Sequence, residues 1–216
     1  MKQTGKEILT ELKGRYPVLE PCMQEIACAV DILCECYRTG GKLLVCGNGG
    51  SASDSLHIVG ELMKSFVLPR KPDAATCEAL MSTGGEDGPL LCSQLQGALP
   101  AIALVNETAL QTAYSNDVAP ELVFAQQVLG YGVEGDTLIG ISTSGNSRNV
   151  VLAAKVARAK KMHVITLTGA GGGALKSLSD ACVSVPDTET YRIQELHLPV
   201  YHALCLALEA EFFGKA

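Results

Sequence analysis

One stretch, Lys42 to Glu61 (KLLVCGNGGSASDSLHIVGE), constrains the fold of this chain more than any other. It opens with the apolar run 43–46, which predicts a strand buried on both faces of a sheet. A Gly-Asn-Gly-Gly-Ser turn follows, and helical spacing begins near Ala52 and runs to about Phe66. Glycines let the backbone approach a ligand, and the first N–H groups of a helix point outward at the positive end of its dipole. The stretch therefore predicts an anion site, with Ser51 adding a hydroxyl at the cap position.

His57 and Glu61 lie four residues apart along the predicted helix, so they share one face. A phosphate-binding turn followed by an imidazole and a carboxylate suggests a reaction site. Two plainer interpretations stay open. Glycine-rich turns between strand and helix are common, and this one matches neither the dinucleotide fingerprint nor a Walker A loop. An i,i+4 His/Glu pair is also often no more than a solvated surface pair.

The composition narrows the function classes. A chain of 216 residues that is 47% hydrophobic and 19% charged predicts one folded domain and excludes disorder. The formal net charge is −6, without a Lys/Arg cluster, which argues against direct binding to nucleic acid or to an anionic membrane. Phosphate recognition would have to rely on backbone amides, hydroxyl groups and at most a single cation.

The nine cysteines are scattered, several of them inside apolar runs, and no C-x-x-C pair occurs. We expect them to be free thiols in a reducing compartment. The first residues lack the apolar run of a signal peptide, and no apolar run reaches the length of a membrane span. These observations predict a cytoplasmic protein.

Hydrophobic periodicity predicts the element order. Region 1–40 should form a helical arm, because its two apolar stripes stop near Tyr16-Pro17 and at Gly40-Gly41. Further strands are predicted at 101–105, 136–141, 163–167 and 181–185, and helices at 108–114, 121–128, 150–160 and 189–213, with Asn116 and Asp117 separating the first two of these helices. The alternation predicts a single α/β domain, a three-layer α/β/α sandwich on a parallel five-stranded sheet. Its ligand should lie beyond the carboxyl ends of the strands, the edge from which loops 47–51 and 142–147 both leave.

Segment 68–99 interrupts this regular pattern. It contains three prolines and several glycines, and only residues 77–81 have helical character. A connection of this length is uncommon in a compact domain unless it is functional or mobile. We predict a loop insertion that serves as a lid or an interface element.

Two further motifs carry candidate site residues. The sequence STSGNS, residues 142–147, places four hydroxyl groups directly after a strand, although such residues are also ordinary loop and cap residues. In the last helix, Gln194 and His202 can share a face, but His197 is closer in phase to Gln194, so spacing alone does not choose between the histidines. Two His, one Glu and one Gln could hold a borderline metal such as zinc if the two helices converge.

At this point the chain resembles a known family. The motifs CGNGGSASDSLHIVGEL, LIGISTSGNSRNV, VITLTG and RIQELHLPVYHAL are similar to those of sedoheptulose-7-phosphate isomerase, or phosphoheptose isomerase, a group of sugar isomerase (SIS) domain proteins. The likeness extends from the N-terminal helices to the end of the chain, apart from segment 68–99. It implies a flavodoxin-like five-stranded sheet and a cytoplasmic homotetramer with active sites between subunits.

The resemblance also implies roles for individual residues. Those that would hold the substrate phosphate are Ser51, Ser142, Thr143, Ser144 and Ser147. Those that would line the rest of the sugar site are Asn48, Gly49, Gly50, Asn116, Asp117 and Gln194. Zinc would be bound by His57, Glu61, Gln194 and His202. Glu61 and His202 would also be the acid–base pair that moves a proton between C1 and C2 of a ketose phosphate through an enediol, toward activated heptose.

The chain departs from the family at Met63-Lys64-Ser65, where many relatives have an arginine, and Lys64 does not reproduce a bidentate arginine contact. Two alternatives to a phosphoheptose isomerase therefore stay open. One is an isomerase of another sugar phosphate. The other is a non-catalytic SIS-domain sensor or a scaffold that binds a replication initiator. The presence of all four candidate metal and acid–base residues favours the enzyme.

Overall fold

A computed structural model describes residues 5–214 of the chain. Two N-terminal helices precede the first strand, and a 3₁₀ segment, Pro17–Cys22, joins them. The helices are α1 (Gly5–Arg15), α2 (Met23–Arg38), α3 (Gly50–Met63), α4 (Ala74–Thr83), α5 (Gly88–Gln94), α6 (Thr108–Asp117), α7 (Val123–Tyr131), α8 (Arg148–Ala159) and α9 (Thr190–Phe213). The strands are β1 (Leu43–Gly47), β2 (Ala101–Ala103), β3 (Thr137–Ile141), β4 (His163–Thr168) and β5 (Ala181–Ser184).

The five strands form one parallel sheet in the order β2-β1-β3-β4-β5. This is the strand order of flavodoxin-like folds, with the switch in direction between β1 and β3. The predicted fold class is therefore confirmed. The register pairs Gly47 with Ile141, so β1 and β3 end side by side at one edge of the sheet.

Helices cover both faces of the sheet because the strands are apolar on both sides. Leu43 and Val45 pack with α1, α2 and α9 in one core cluster, which Ile58 of α3 also joins. Leu44 and Cys46, one residue out of phase, pack with α7 and α8 in the second cluster. The long helix α9 runs continuously through Pro199 along the first face.

Segment 68–99 is helical for most of its length, so the predicted loop is wrong in its secondary structure. Helices α4 and α5 fold against each other as a hairpin, and Asp73 caps α4 by accepting a hydrogen bond from the N–H of Thr76 at 2.8 Å. A Cys77–Cys92 disulfide joins the two helices, which corrects the expectation of free thiols for this pair. The weak amphipathic pattern hid the helices, because no residue of α4 is buried in the described structure.

Three boundaries also differ from prediction. Asn116 and Asp117 lie inside α6 rather than between two helices. Helix α3 begins at Gly50 and ends at Met63, so Gly49 is its N-cap and Ser51 lies in its first turn instead of at the cap position.

Within residues 5–214, none of the helices combines the length and apolar character that crossing a membrane requires.

Candidate active site at the sheet edge

The two polar loops meet where β1 and β3 end. Asn48 follows β1 and Ser142 follows β3, and the strands that carry them are adjacent. The side-chain amides of Asn48 and Asn149 exchange two hydrogen bonds, each of 2.9 Å, which tie the first loop to the first turn of α8. The N-termini of α3 and α8 therefore lie at the same edge, and both helix dipoles favour an anion there.

The first loop turns tightly into α3. Gly49 has φ +55°, a conformation that L side chains rarely adopt. The N–H of Ser51 donates to the carbonyl of Asn48 at 3.0 Å, and Ser51 itself is buried. Gln194 of α9 covers the turn so closely that a Cβ added to Gly50 would lie 2.5 Å from Gln194 Nε2. Gly49 therefore suits the positive φ of this turn, and Gly50 allows the close approach of Gln194.

The second loop gathers its hydroxyl groups around Ser142. The Oγ atom of Ser142 lies 2.8 Å from that of Ser147 and 3.5 Å from that of Ser144. The N–H groups of Asn146 and Ser147 point to the same cluster, at 3.1 Å from Ser144 Oγ and 3.4 Å from Ser142 Oγ. Hydroxyls that now bond to one another can turn to donate to phosphate oxygens. Thr143 is half-buried beside them and contributes its carbonyl to Gly169 N–H.

A glycine-rich loop after β4 supports the serine cluster from behind. Gly145 packs on Gly172 and Gly173, with a Cβ added to Gly145 placed only 2.1 Å from the carbonyl oxygen of Gly172. Leu175 N–H donates to the carbonyl of Gly145 at 3.1 Å, and Ala174 N–H donates to Asn146 Oδ1 at 2.9 Å. This close backbone packing fixes the curvature of the 142–147 loop.

The predicted reaction residues lie two to three turns further along α3. His57 Nε2 is 3.3 Å from Glu61 Oε1, while Lys64 Nζ is 3.0 Å from Glu61 Oε2. Glu61 is largely covered, with 13% of its side chain exposed, and His57 remains 42% exposed. The carboxylate thus lies between an imidazole and an ammonium group, on the face that α3 turns toward α9. Lys64 therefore pairs with Glu61.

His202 of α9 joins this group by ring contact. Its ring centroid is 5.0 Å from that of His57, 5.0 Å from that of Tyr201 and 5.4 Å from that of Phe66. Burial lowers the pKa of His202, and the neighbouring His57 lowers it further. His202 is therefore predominantly neutral near pH 7. Its Nε2 atom is buried without a hydrogen-bond partner among residues 5–214.

His197 is the alternative histidine that the spacing left open. It is fully buried, and its Nε2 lies 3.2 Å from the carbonyl oxygen of Thr168. Burial lowers its pKa to about 4, so it is a neutral structural residue beneath β4. Contact with His57 distinguishes His202 from His197, as the helix phase could not.

The four candidate zinc ligands do not form one cluster in the described chain. Gln194 covers Gly50, about 10 Å along α3 from His57 at the helical rise. Among residues 5–214, no group of three His, Cys, Asp or Glu side chains has an arrangement that could hold a metal ion. His57, Glu61 and His202 supply suitable donor types, but a zinc ion would require their movement or a donor from a second subunit.

Asn116 and Asp117 lie apart from the loops. Both are exposed near the end of α6, where Asn116 Nδ2 donates to Asp117 Oδ1 at 2.8 Å. Within the described chain, neither side chain has a hydrogen bond to residues 48–51 or 142–147. Their predicted contact with the sugar stays a prediction.

Three residues with clear structural roles at the site were not singled out from the sequence. Asn149 pairs with Asn48, and Tyr201 contacts both His57 and Asp54. Arg70 is buried and donates to Glu209 at 2.8 Å and to the carbonyls of Leu62 and Glu61 at 2.8 and 2.9 Å. The sequence carried no signal for these three residues; it did for Asp54, the partner of Tyr201, which lies three residues before His57 and thus on the same helix face.

Comparison with known proteins identifies the family of the chain. The SIS domain family profile matches residues 17–86 and 91–169. The phosphoheptose isomerase of Geobacter sp. (strain M21) is 38% identical over 209 residues, which cover 97% of this chain and 92% of that protein. The chain belongs to the phosphoheptose isomerase family of SIS-domain proteins.

Solved structures of SIS-domain family members support the same assignment. A phosphoheptose isomerase from Neisseria gonorrhoeae superposes with a TM-score of 0.70 at 33% identity, covering 95% of this chain and 93% of that one. One from Francisella tularensis gives a TM-score of 0.73 at 31% identity, covering 92% of each chain. The family and the fold that the motifs indicated are both confirmed.

Proposed function

We propose that this protein isomerises sedoheptulose 7-phosphate to D-glycero-D-manno-heptose 7-phosphate, a step toward activated heptose. The observation that carries the proposal is that α3, whose N-terminus lies at the sheet edge beside the clustered serine hydroxyls, also carries the His57–Glu61 pair, which His202 contacts. Membership of the phosphoheptose isomerase family supports the substrate class.

The proposed phosphate site lies at the ends of β1 and β3. Three serine hydroxyls converge after β3, and two helix N-termini face the same edge. Such groups bind a dianion without an arginine, which suits a chain with a net charge of −6. Asn48 and Gln194 flank the turn at Gly49-Gly50 and would contact the sugar hydroxyls.

The chemistry requires a base and an acid on either side of C1 and C2. The base removes the C1 proton, the electron pair forms the C1–C2 double bond, and the C2 carbonyl oxygen takes a proton. Return of a proton to C2 and loss of the O1 proton then give the aldehyde, with no net oxidation. Glu61, nearly covered, is suited to proton abstraction, and neutral His202 is suited to exchanging a proton with an oxygen.

We also propose that zinc binds at His57, Glu61, Gln194 and His202. Their donor types and the unpartnered Nε2 of His202 support this, although a single chain does not arrange the ligands around an ion. When bound, zinc would polarise the substrate carbonyl. No step above depends on it.

A cytoplasmic homotetramer completes the proposal. Leu56 and Met63 of α3 and Leu198 of α9 are large apolar side chains exposed by 41–46% on the two helices that carry the reaction residues. A second subunit seated there would cover them and exclude water from the site. Light scattering after size-exclusion chromatography measures the subunit number directly.

The decisive experiment is turnover of sedoheptulose 7-phosphate by the purified protein, followed by NMR of the products after zinc removal and after zinc addition. Appearance of the aldose heptose phosphate supports the proposed reaction, and dependence on added metal supports zinc. Thermal stabilisation by the sugar phosphate without turnover would instead indicate a sensor. Failure of both turnover and stabilisation would reject this substrate and lead to a screen of other phosphosugars.

A further inference from the structure

A hydrogen-bonded chain behind His57 connects α3 to α9. Tyr201 OH donates to Asp54 Oδ1 at 3.3 Å and lies 3.0 Å from His57 Nδ1. Tyr201 is one of the largest fully buried side chains of the described protein, and its ring packs edge-on against that of His57, with centroids 5.5 Å apart. On the other side of the ring, His57 Nε2 lies 3.3 Å from Glu61 Oε1.

The direction of these hydrogen bonds follows from the donor inventory. A tyrosine hydroxyl has one proton, and an ionised aspartate only accepts. Because Tyr201 donates its proton to Asp54, its oxygen accepts from His57, which requires the proton of the imidazole to be on Nδ1. His57 Nε2 lies on the opposite side of the ring, 3.3 Å from Glu61 Oε1.

From this geometry we infer that Tyr201 is a positioning residue, which, held by Asp54, fixes the ring orientation and the Nδ1-protonated form of His57 so that Nε2 is directed at Glu61. The reason is structural. His57 is 42% exposed, whereas Tyr201 is buried in α9 and Asp54 lies on α3 three residues before His57, so the two hold the Nδ1 side of a partly exposed ring. A residue that hydrogen-bonds one ring nitrogen of a functional histidine commonly determines which of the two nitrogens carries the proton.

This inference rests on the proposed function for its kinetic test but not for its spectroscopic one. In the zinc-free protein, ¹⁵N NMR of labelled histidine reports which imidazole nitrogen is protonated, and a His57→Gln variant assigns the signals of His57. We expect a protonated Nδ1 in the native protein and a changed His57 signal in Tyr201→Phe. An unprotonated Nδ1 in the native protein would overturn the inference, whether or not the protein turns over a sugar.

The kinetic test separates positioning from general stability. Tyr201→Phe keeps the buried ring and removes only the hydroxyl, so we expect kcat to fall about tenfold while KM changes little. The matched control is Tyr37→Phe, which removes another buried hydroxyl, one that donates to the carbonyl of Pro100 at 3.3 Å far from His57. An equal loss of kcat in both variants would assign Tyr201 to stability alone and reject the inference.

A double-mutant cycle tests whether Tyr201 affects kcat through His57. If Tyr201 acts through His57, then Tyr201→Phe has no further effect on kcat in the His57→Gln background. Additive losses would mean that Tyr201 acts independently of His57 and would contradict the inference. Wild-type turnover of sedoheptulose 7-phosphate in the same assay reports separately on the proposed function.

Discussion

The sheet-edge loops and the α4–α5 hairpin are both rich in glycine, yet the protein uses them differently. The loops at 48–51 and 142–147 leave adjacent central strands. Asn48 of the first loop bonds to Asn149 of α8, and the serine hydroxyls of the second loop lie within hydrogen-bond distance of one another. The hairpin buries no residue of α4 and exposes Met81 and Leu90 by more than half. Its own helices and a disulfide hold it together.

Side-chain positions are determined more precisely at the sheet edge than in the α4–α5 hairpin. At the sheet edge, strand register and glycine contacts position each side chain, so small changes should affect chemistry. The hairpin joins the body at its base, where Gly97 N–H donates to the carbonyl of Arg70 at 2.8 Å. Changes in its exposed part should therefore leave the site intact, and the following variants test that contrast.

The largest effect is expected at Glu61, the proposed base. Glu61→Gln keeps the size of the side chain but removes the basic carboxylate, so turnover should fall about 10³-fold. Thermal stabilisation by the sugar phosphate should persist, because the serine loop is unchanged. The control is Glu78→Gln on exposed α4, which should behave like the native protein. Loss of ligand stabilisation together with turnover would show that Glu61 is structural.

Arg70 joins the base of the hairpin to α3 and α9, and its loss should strongly lower the free energy of unfolding. Its guanidinium and the Glu209 carboxylate are both buried, and Glu209 also accepts from the N–H groups of residues 66–68. Arg70→Met should lower the free energy of unfolding by about 3–5 kcal/mol, because it leaves an unpaired buried charge. The control Lys13→Met breaks the exposed pair with Glu20 and should cost about 0–1 kcal/mol. Equal losses in denaturant titrations would contradict this account.

The buried Arg70–Glu209 pair predicts that the free energy of unfolding depends on pH. Burial raises the pKa of Glu209, but the three backbone N–H groups and Arg70 outweigh it and lower the pKa below its ordinary 4.5. A lowered folded-state pKa contributes stability above the unfolded value and loses it as the pH falls through the folded value. The free energy of unfolding should therefore drop below pH 4.5, and less steeply in Glu209→Gln. An identical acid profile in that variant would contradict the assignment.

A pair of glycine variants compares the regions directly. Gly173 and Gly85 both have positive φ, so alanine should cost about 1–2 kcal/mol at either position. At Gly173 the new Cβ would also lie 2.6 Å from the backbone of Gly145, whereas at Gly85 nothing lies within 4 Å. The clash should add about 1–3 kcal/mol at Gly173 and weaken phosphate binding there alone. Similar Tm and KM values for both variants would show that the loop packing is not decisive.

A smaller effect is expected from the Asn48–Asn149 amide pair, which joins the first loop to α8. Asn149→Ala removes both hydrogen bonds to Asn48, and KM for the sugar phosphate should rise by a factor of about 2–10. The control is Gln96→Ala at the base of the hairpin, which removes an amide that accepts from the N–H of Ser65 at 2.8 Å. If Gln96→Ala raises KM equally, the loop contact is not specific to the site.

The smallest effect on turnover should come from the disulfide. Cys77→Ser with Cys92→Ser opens a loop of 15 residues and should reduce local stability by at most about 3 kcal/mol. Hydrogen exchange in α4 and α5 should become faster, while kcat and KM stay unchanged. A fall in kcat would mean that the hairpin does contribute to the site, and treatment of the native protein with a reductant should then reproduce it.

The fold and much of the site were predictable because their signals are local. Buried apolar runs, glycine-rich turns and the alternation of strands with helices predict residues 48–51 and 142–147 at one edge of the sheet, and the observed register of β1 and β3 confirms it. The α4–α5 hairpin was not predicted, because its sequence carries little local signal. Helices α4 and α5 bury almost nothing, so their sequence carries little amphipathic pattern, and the pairing of Cys77 with Cys92 depends on how they fold together.

By itself, the sequence determined the family, the five-stranded α/β architecture and the chemical character of the site, because periodicity and motif composition are properties of neighbouring residues. Only the tertiary structure decided which histidine of α9 meets His57, where Gln194 lies, and that Tyr201 joins Asp54 to His57. Those contacts depend on the axial and rotational placement of α3 against α9. Packing of the whole core fixes that placement, and no local pattern encodes it.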